Sequence, residues 1–177
     1  IVQCDGQDIK MEDGTTPVSG DHRNQKYLPS ENDYSITLKI SYKKLDYVTG
    51  GDTDGQYEKS KYGYSYNDVE SAIAPLIGEV EILHINHHGS SHSSNQKYIG
   101  TLKPIVSLIS CGKNRYGHPD QRTLDRIISI SRLYLTEKGD SNRDYGNSIV
   151  VNGDIVIKSS DGINFTVNGD RYTVKQQ

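Results

Sequence analysis

The stretch Leu83-His84-Ile85-Asn86-His87-His88-Gly89-Ser90-Ser91-His92-Ser93-Ser94 decides how this chain reads, because four of its six histidines fall within nine residues. An apolar run, Val80-Glu81-Ile82-Leu83, leads into it, and a Ser/Asn-rich segment leads out toward a helical pattern. His87 and His88 are therefore expected in a loop at a strand end, where chemistry is commonly mounted. Paired imidazoles beside glycine and hydroxyls can ligate a cation, donate to a phosphate oxygen or move a proton. A lone histidine is more often a packed or solvated side chain; four this close argue for function.

Downstream, Ser93 or Ser94 can cap a helix through Tyr98, Ile99 and Leu102, which stops at Lys103-Pro104. Ile105 to Ser110 is the next strand. It runs into Cys111-Gly112-Lys113-Asn114-Arg115-Tyr116-Gly117-His118-Pro119, and a proline at a first helical position would pin His118 at the entrance of a helix through Leu124, Ile127, Ile128 and Ile130. Leu133 to Thr136 is a short strand. Beyond a polar loop at 137–147, alternating segments at 148–151, 155–157, 164–167 and 172–174, separated by Asn-Gly and Asp-Gly turns, predict a β meander.

Upstream, Tyr34 to Ile40 alternates in steps of two, and a turn at Tyr42-Lys43-Lys44 leads to a second strand, Leu45 to Thr49. That strand enters Gly50-Gly51-Asp52-Thr53-Asp54-Gly55, where the glycines let the backbone turn and present one or two carboxylates. Asp52 is the candidate metal ligand, set against a plain turn in which Asp bonds its own backbone. Residues 56–66, without an apolar face, read as a surface loop. Asn67 and Glu70 read as a capping pair for a helix over Val69, Ile73 and Leu76-Ile77. Residues 1–33 read as loop or weakly ordered arm, with His22 as a solvated side chain. The order hairpin, helix, strand, helix, strand, helix, strand, meander is an α/β arrangement, and Asp52, His87/His88 and His118 all follow strands.

With 177 residues, the chain fits one domain of ordinary size. Its 33% hydrophobic content includes 13 tyrosines, so the greasy core is modest. The balance of 20 basic against 23 acidic residues, a formal charge of −3, supplies no overall positive field, so a phosphate-bearing substrate must be held locally. Two cysteines, Cys4 and Cys111, make neither a disulfide framework nor a paired metal site. No apolar stretch of about 18 residues spans a membrane. The chain opens on Ile1, which reads as cut from, or processed out of, something longer.

The spans Glu31-Asn32-Asp33-Tyr34-Ser35-Ile36, Tyr47-Val48-Thr49-Gly50-Gly51-Asp52, His87-His88-Gly89-Ser90 with Ser93-Ser94, and Tyr116-Gly117-His118-Pro119 resemble the metallo-β-lactamase-fold hydrolases of the ComEC type, a competence-associated group. The resemblance covers about residues 31 to 136, in the family's order. It implies a four-layer αββα sandwich with a two-metal site, zinc or manganese, in the complete protein. Asp52 then resembles the carboxylate that bridges the metals, since its two oxygens can hold cations about 3.5 to 4 Å apart. His118 resembles the late ligand histidine, and His87 and His88 the pair that contacts the scissile phosphate or acts as general acid, with metal ligation by one of the two as the alternative. Ser90 and Asn114 resemble substrate-holding residues.

The family's early His-x-His/Asp-x-Asp-His motif has no match in residues 1 to 30, so the resemblance implies the C-terminal half of the domain, with the upstream half as its partner. The expected organisation is a single, incomplete domain over 1–177: an irregular arm at 1–30, the metallo-hydrolase-like half at 31–136 and a β meander at 137–177. The expected function is part of a metal-dependent hydrolase of phosphodiesters, DNA included. The alternative is an inactive, metal-free fold serving as a binding or assembly module. An ester or amide hydrolase is the third option. Relatives of this shape are often exported or membrane-tethered.

Overall fold

The computed structural model describes residues 1–176 and is a mixed α/β fold. In chain order its elements are β1 (Leu28–Pro29), β2 (Leu38–Tyr42), β3 (Leu45–Thr49), β4 (Gly55–Lys59), β5 (Tyr64–Asp68), α1 (Val69–Ile77), β6 (Ile82–His84), α2 (Gln96–Leu102), β7 (Val106–Ile109), α3 (Gln121–Ile128), β8 (Arg132–Leu135), β9 (Ile149–Val150), β10 (Ile157–Lys158), β11 (Asn164–Val167) and β12 (Asp170–Thr173). A six-stranded sheet has the order β2-β3-β6-β7-β8-β9. Its first pair is the antiparallel hairpin, and every later pair is parallel. The loops after β3, β6 and β7 therefore leave one edge of the sheet together, which is what brings distant residues to a common rim.

The central strands are apolar on both faces, as strands covered from both sides must be. Leu83, Ile109, Leu133 and Leu135 pack with Ile73 and Ile77 of α1, Ile99 and Leu102 of α2, and Leu124 and Ile127 of α3. Their neighbours Ile82, Val106, Leu108 and Tyr134 pack the other way, with Phe165 and Val167 of β11. The result is helices on one face and the antiparallel sheet β10-β11-β12 on the other. Each fully buried Leu or Ile contributes about 1.5–3 kcal/mol, so both faces hold the stack together. Tyr134 also ties the two sheets in register, its hydroxyl donating to Asp170 Oδ2 at 2.5 Å and meeting the Tyr172 hydroxyl at 2.8 Å.

Several local expectations are corrected. Residues 56–66 are largely the β4–β5 hairpin, joined by β1 in a small sheet. Asp68, not Asn67, caps α1 by accepting from Ser71 N, which frees Glu70 to point inward. Asn95 rather than Ser93 or Ser94 caps α2. Asp120 caps α3, so Pro119 stands before the cap instead of at the first helical position; the His118–Pro119 peptide is cis. His22 is buried, with Nε2 2.7 Å from Val18 O and Nδ1 3.1 Å from Gln25 Oε1. Ile9 and Val18 from the same segment join the helix-side core.

Candidate active site

Backbone geometry marks the histidine loop first. His87 and His88 both have positive φ, 50° and 52°, and Gly89 follows at 75°. Non-glycine residues in this region cost of order 1–3 kcal/mol each, so the surroundings must hold them there. The His87 amide donates to Gly51 O at 2.9 Å, pinning this loop to the turn after β3. Gly89 has no room for a side chain: a Cβ there would stand 2.8 Å from Pro119 Cβ. That close approach joins the histidine loop to the His118 loop.

Beneath the loop lies Glu70, fully buried. Its Oε1 accepts from Asn86 Nδ2 at 2.8 Å and from Ser94 N at 2.6 Å, and its Oε2 accepts from Asn95 N at 2.8 Å. One carboxylate thus grips both ends of the loop. Burial pushes its pKa up to about 7, against the downward pull of those three hydrogen bonds.

The site side chains fall as follows. His87 Nδ1 lies 3.1 Å from Asp54 Oδ1, and the buried Asp54 also accepts from Asn32 Nδ2 at 3.3 Å. A carboxylate only accepts, so Nδ1 carries the proton and Nε2 is turned away. The His87 and His118 rings meet edge to face with centroids 5.3 Å apart. His88 donates from Nδ1 to Ser110 O at 2.7 Å, and its Nε2 stands 3.6 Å from Oδ1 of the half-exposed Asp52. Tyr116, largely exposed, stacks near His118 with centroids 6.0 Å apart. His88, Lys113, Asn114, Tyr116 and His118 border a cavity of 480 Å³.

Ionisation follows from these neighbours. Burial pulls the His87 pKa down, but the Asp54 hydrogen bond and the charges of Asp54, Asp52 and Glu70 outweigh it, and the net shift is upward. His118 moves downward, first through burial and then through the neighbouring imidazoles of His87 and His88. A pair pushed in opposite directions is the usual arrangement for one acid and one neutral partner.

The structure thus brings Asp52, His87, His88 and His118 to one rim. Ser90 is buried, and its Oγ accepts from His92 N at 3.3 Å. Asn114 braces its own loop: Oδ1 accepts from Tyr116 N and His118 N, and Nδ2 donates to Gly112 O and His118 O. His84 is held by Thr49 Oγ1 and Ser110 Oγ, and His92 pairs with Glu58 and stacks on Tyr66. Sequence reasoning passed over Asp54, Asn32, Glu70 and Lys113. The second carboxylate of Gly50–Gly55 was the available signal for Asp54; only the fold tells which one turns inward.

A metal centre fits these residues in kind and falls short in number. A catalytic zinc takes three protein ligands. Among the described residues, no three His, Cys, Asp or Glu side chains converge closely enough to hold an ion. Burial pushes the Cys111 thiol up to about 11, which disfavours the thiolate. No helix of the described residues is long and apolar enough to cross a membrane.

No family model matches the chain. It is 28% identical over 123 residues to ComE operon protein 3 of Bacillus subtilis (strain 168), an alignment covering 68% of this chain and 15% of that protein. It is 22% identical over 99 residues to Recombination protein 2 of Haemophilus influenzae, covering 55% of this chain and 11% of that protein. The chain therefore spans only a small part of the length of these curated relatives, and the name of the first agrees with the ComEC-type resemblance of its motifs.

Proposed function

We propose that this chain is the C-terminal part of a metallo-β-lactamase-type hydrolase that cleaves phosphodiester bonds, nucleic acid included. The carrying observation is the Asp54–His87–His118 arrangement, whose last member, His118, borders a cavity together with Lys113. Asp54 fixes the His87 ring and favours its protonated form, so His87 acts as general acid and gives its proton to the leaving oxygen as the phosphorus–oxygen bond breaks. Water supplies the oxygen that joins phosphorus. Lys113 offers its charge to a phosphate oxygen, and His88 lines the same cavity. The stacking of helices, sheet and second sheet supports an αββα reading, with the fourth layer supplied from outside these 177 residues.

Two divalent cations, zinc or manganese, belong to this reading. Asp52 and His118 would contribute ligands, the upstream half of the domain would supply the rest, and the metals' chemistry would be to lower the pKa of a bound water. The shortfall in donors favours one second reading: a metal-free, inactive fold kept for binding or assembly. The deciding experiment joins the chain to its upstream half, loads zinc or manganese, measures metal content and assays bis-p-nitrophenyl phosphate and single-stranded DNA. Turnover supports the hydrolase. A metal-loaded protein that turns over neither substrate overturns it, and stoichiometric metal on the 177-residue chain alone contradicts the metal-free reading.

A further inference from the structure

The sheet β10-β11-β12 has two faces of opposite character. Phe165 and Tyr172 pair across β11 and β12, stack with centroids 5.3 Å apart and pack inward. Directly opposed residues share a face. Lys158 opposes Thr166 and Thr166 opposes Arg171, so these three make one cross-strand row on the outward face. Asn164 and Thr173 oppose each other on the same face. Together with the turn after β10, they line a concavity of 670 Å³.

Among the described residues, the cations in this row are free of carboxylate and carbonyl partners. Of the seven arginines, Arg23, Arg122, Arg126, Arg132 and Arg143 are bonded to a carboxylate or a carbonyl, and Arg115 lies over the Tyr116 ring. Among the described residues Arg171 and Lys158 have no such partner, and the Thr166 hydroxyl has no hydrogen bond. Among the described residues, the only carboxylate lining the concavity, Asp161, is consumed by its own turn, accepting from Ile163 N, Asn164 N and Asn164 Nδ2. Lys43 and Lys44 stand on the adjoining β2–β3 turn, which approaches so closely that a Cβ at Gly162 would lie 2.7 Å from Lys43 Cβ.

We propose that this outward face binds the phosphodiester backbone of nucleic acid without regard to base sequence. Lys158 and Arg171 each neutralise a phosphate, and Thr166 donates between them. The proposal rests on the phosphodiester reading above and gives that substrate a second point of attachment. Although Phe165 and Tyr172 also line the concavity, the outward row itself offers charge and hydroxyls, which suits a polyanion. Two strand spacings place the cations about 10 Å apart, the rise of roughly three phosphates along one strand. In a chain of net charge −3, such a local row is how a polyanion is held.

The test is fluorescence anisotropy with labelled oligonucleotides, single-stranded and duplex, titrated at several salt concentrations. The 177-residue chain should bind with log K falling linearly in log salt. Lys158→Ala/Arg171→Ala should lower that slope by about 2, roughly 1 per cation, and weaken oligonucleotides of different base composition alike. Lys158→Gln/Arg171→Gln should match it, and Lys158→Arg/Arg171→Lys should keep the slope. No binding by the wild type, an unchanged slope in a double variant with an unchanged circular dichroism spectrum, or a loss confined to one base sequence overturns the proposal. In the chain joined to its upstream half and loaded with metal, turnover of bis-p-nitrophenyl phosphate, too small to reach the row, is expected to be unaffected by these substitutions; no turnover by that wild type would sink the hydrolase reading and leave the binding result to stand or fall separately.

Discussion

Glu70→Ala is expected to lower the unfolding free energy by about 3 kcal/mol and to release the histidine loop. The change strips the acceptor from Asn86 Nδ2 and Ser94 N, both buried, and from the partly buried Asn95 N. Each buried donor without a partner costs about 1–3 kcal/mol, and relief from burying a charge recovers part of the sum. Urea denaturation followed by circular dichroism gives the number. The same carboxyl makes stability depend on pH. Its pKa is raised in the fold from 4.5 to about 7, so the native state binds that proton more tightly than the unfolded chain. Its contribution is fully present below the unfolded value and is lost as pH rises through the folded one. Glu70→Gln should therefore flatten the fall in stability between about pH 4.5 and pH 7. An unchanged pH profile would show that Glu70 titrates normally.

His87→Ala should reduce kcat/KM on a phosphodiester by roughly 10²- to 10⁴-fold, the usual contribution of a positioned general acid. Asp54→Asn should cost less, because the imidazole remains but loses its partner on Nδ1. It should also move the alkaline limb of the pH–rate profile to lower pH, since a general acid is lost as pH rises through its pKa and Asp54 is a main cause holding that of His87 up. A leaving group that needs no proton, such as p-nitrophenolate, should blunt both losses relative to an alkyl leaving group. Equal losses on both substrates would remove His87 from proton transfer.

Much of this arrangement is legible in the sequence for a simple reason. The strands that position the site are apolar runs bounded by Gly, Ser or Pro, and parallel strands send their following loops to one edge. The Leu45–Thr49 strand, the histidine loop and the Tyr116–His118 loop are all found where the residues suggest. The β4–β5 hairpin is not legible, because its inward positions, Ser65 and Asn67, are polar while Tyr57, Tyr62 and Tyr64 stand exposed. Composition there points the wrong way. Glu70 looks like a helix-capping residue until the fold turns it inward, and His22 looks solvated until Val18 O and Gln25 meet its ring. Which carboxylate of Gly50–Gly55 faces the imidazole is set by one turn of backbone, invisible to composition or periodicity.

The central claim is that three separate loops form one coupled acid–base site, and histidine ring titration by NMR tests it most directly. Asp54→Asn should shift the His87 pKa downward, and His87→Ala should shift the His118 pKa upward, since the His87 charge is one of the causes depressing it. Unmoved titration of His87 and of His118 in folded variants would mean that the loops do not meet.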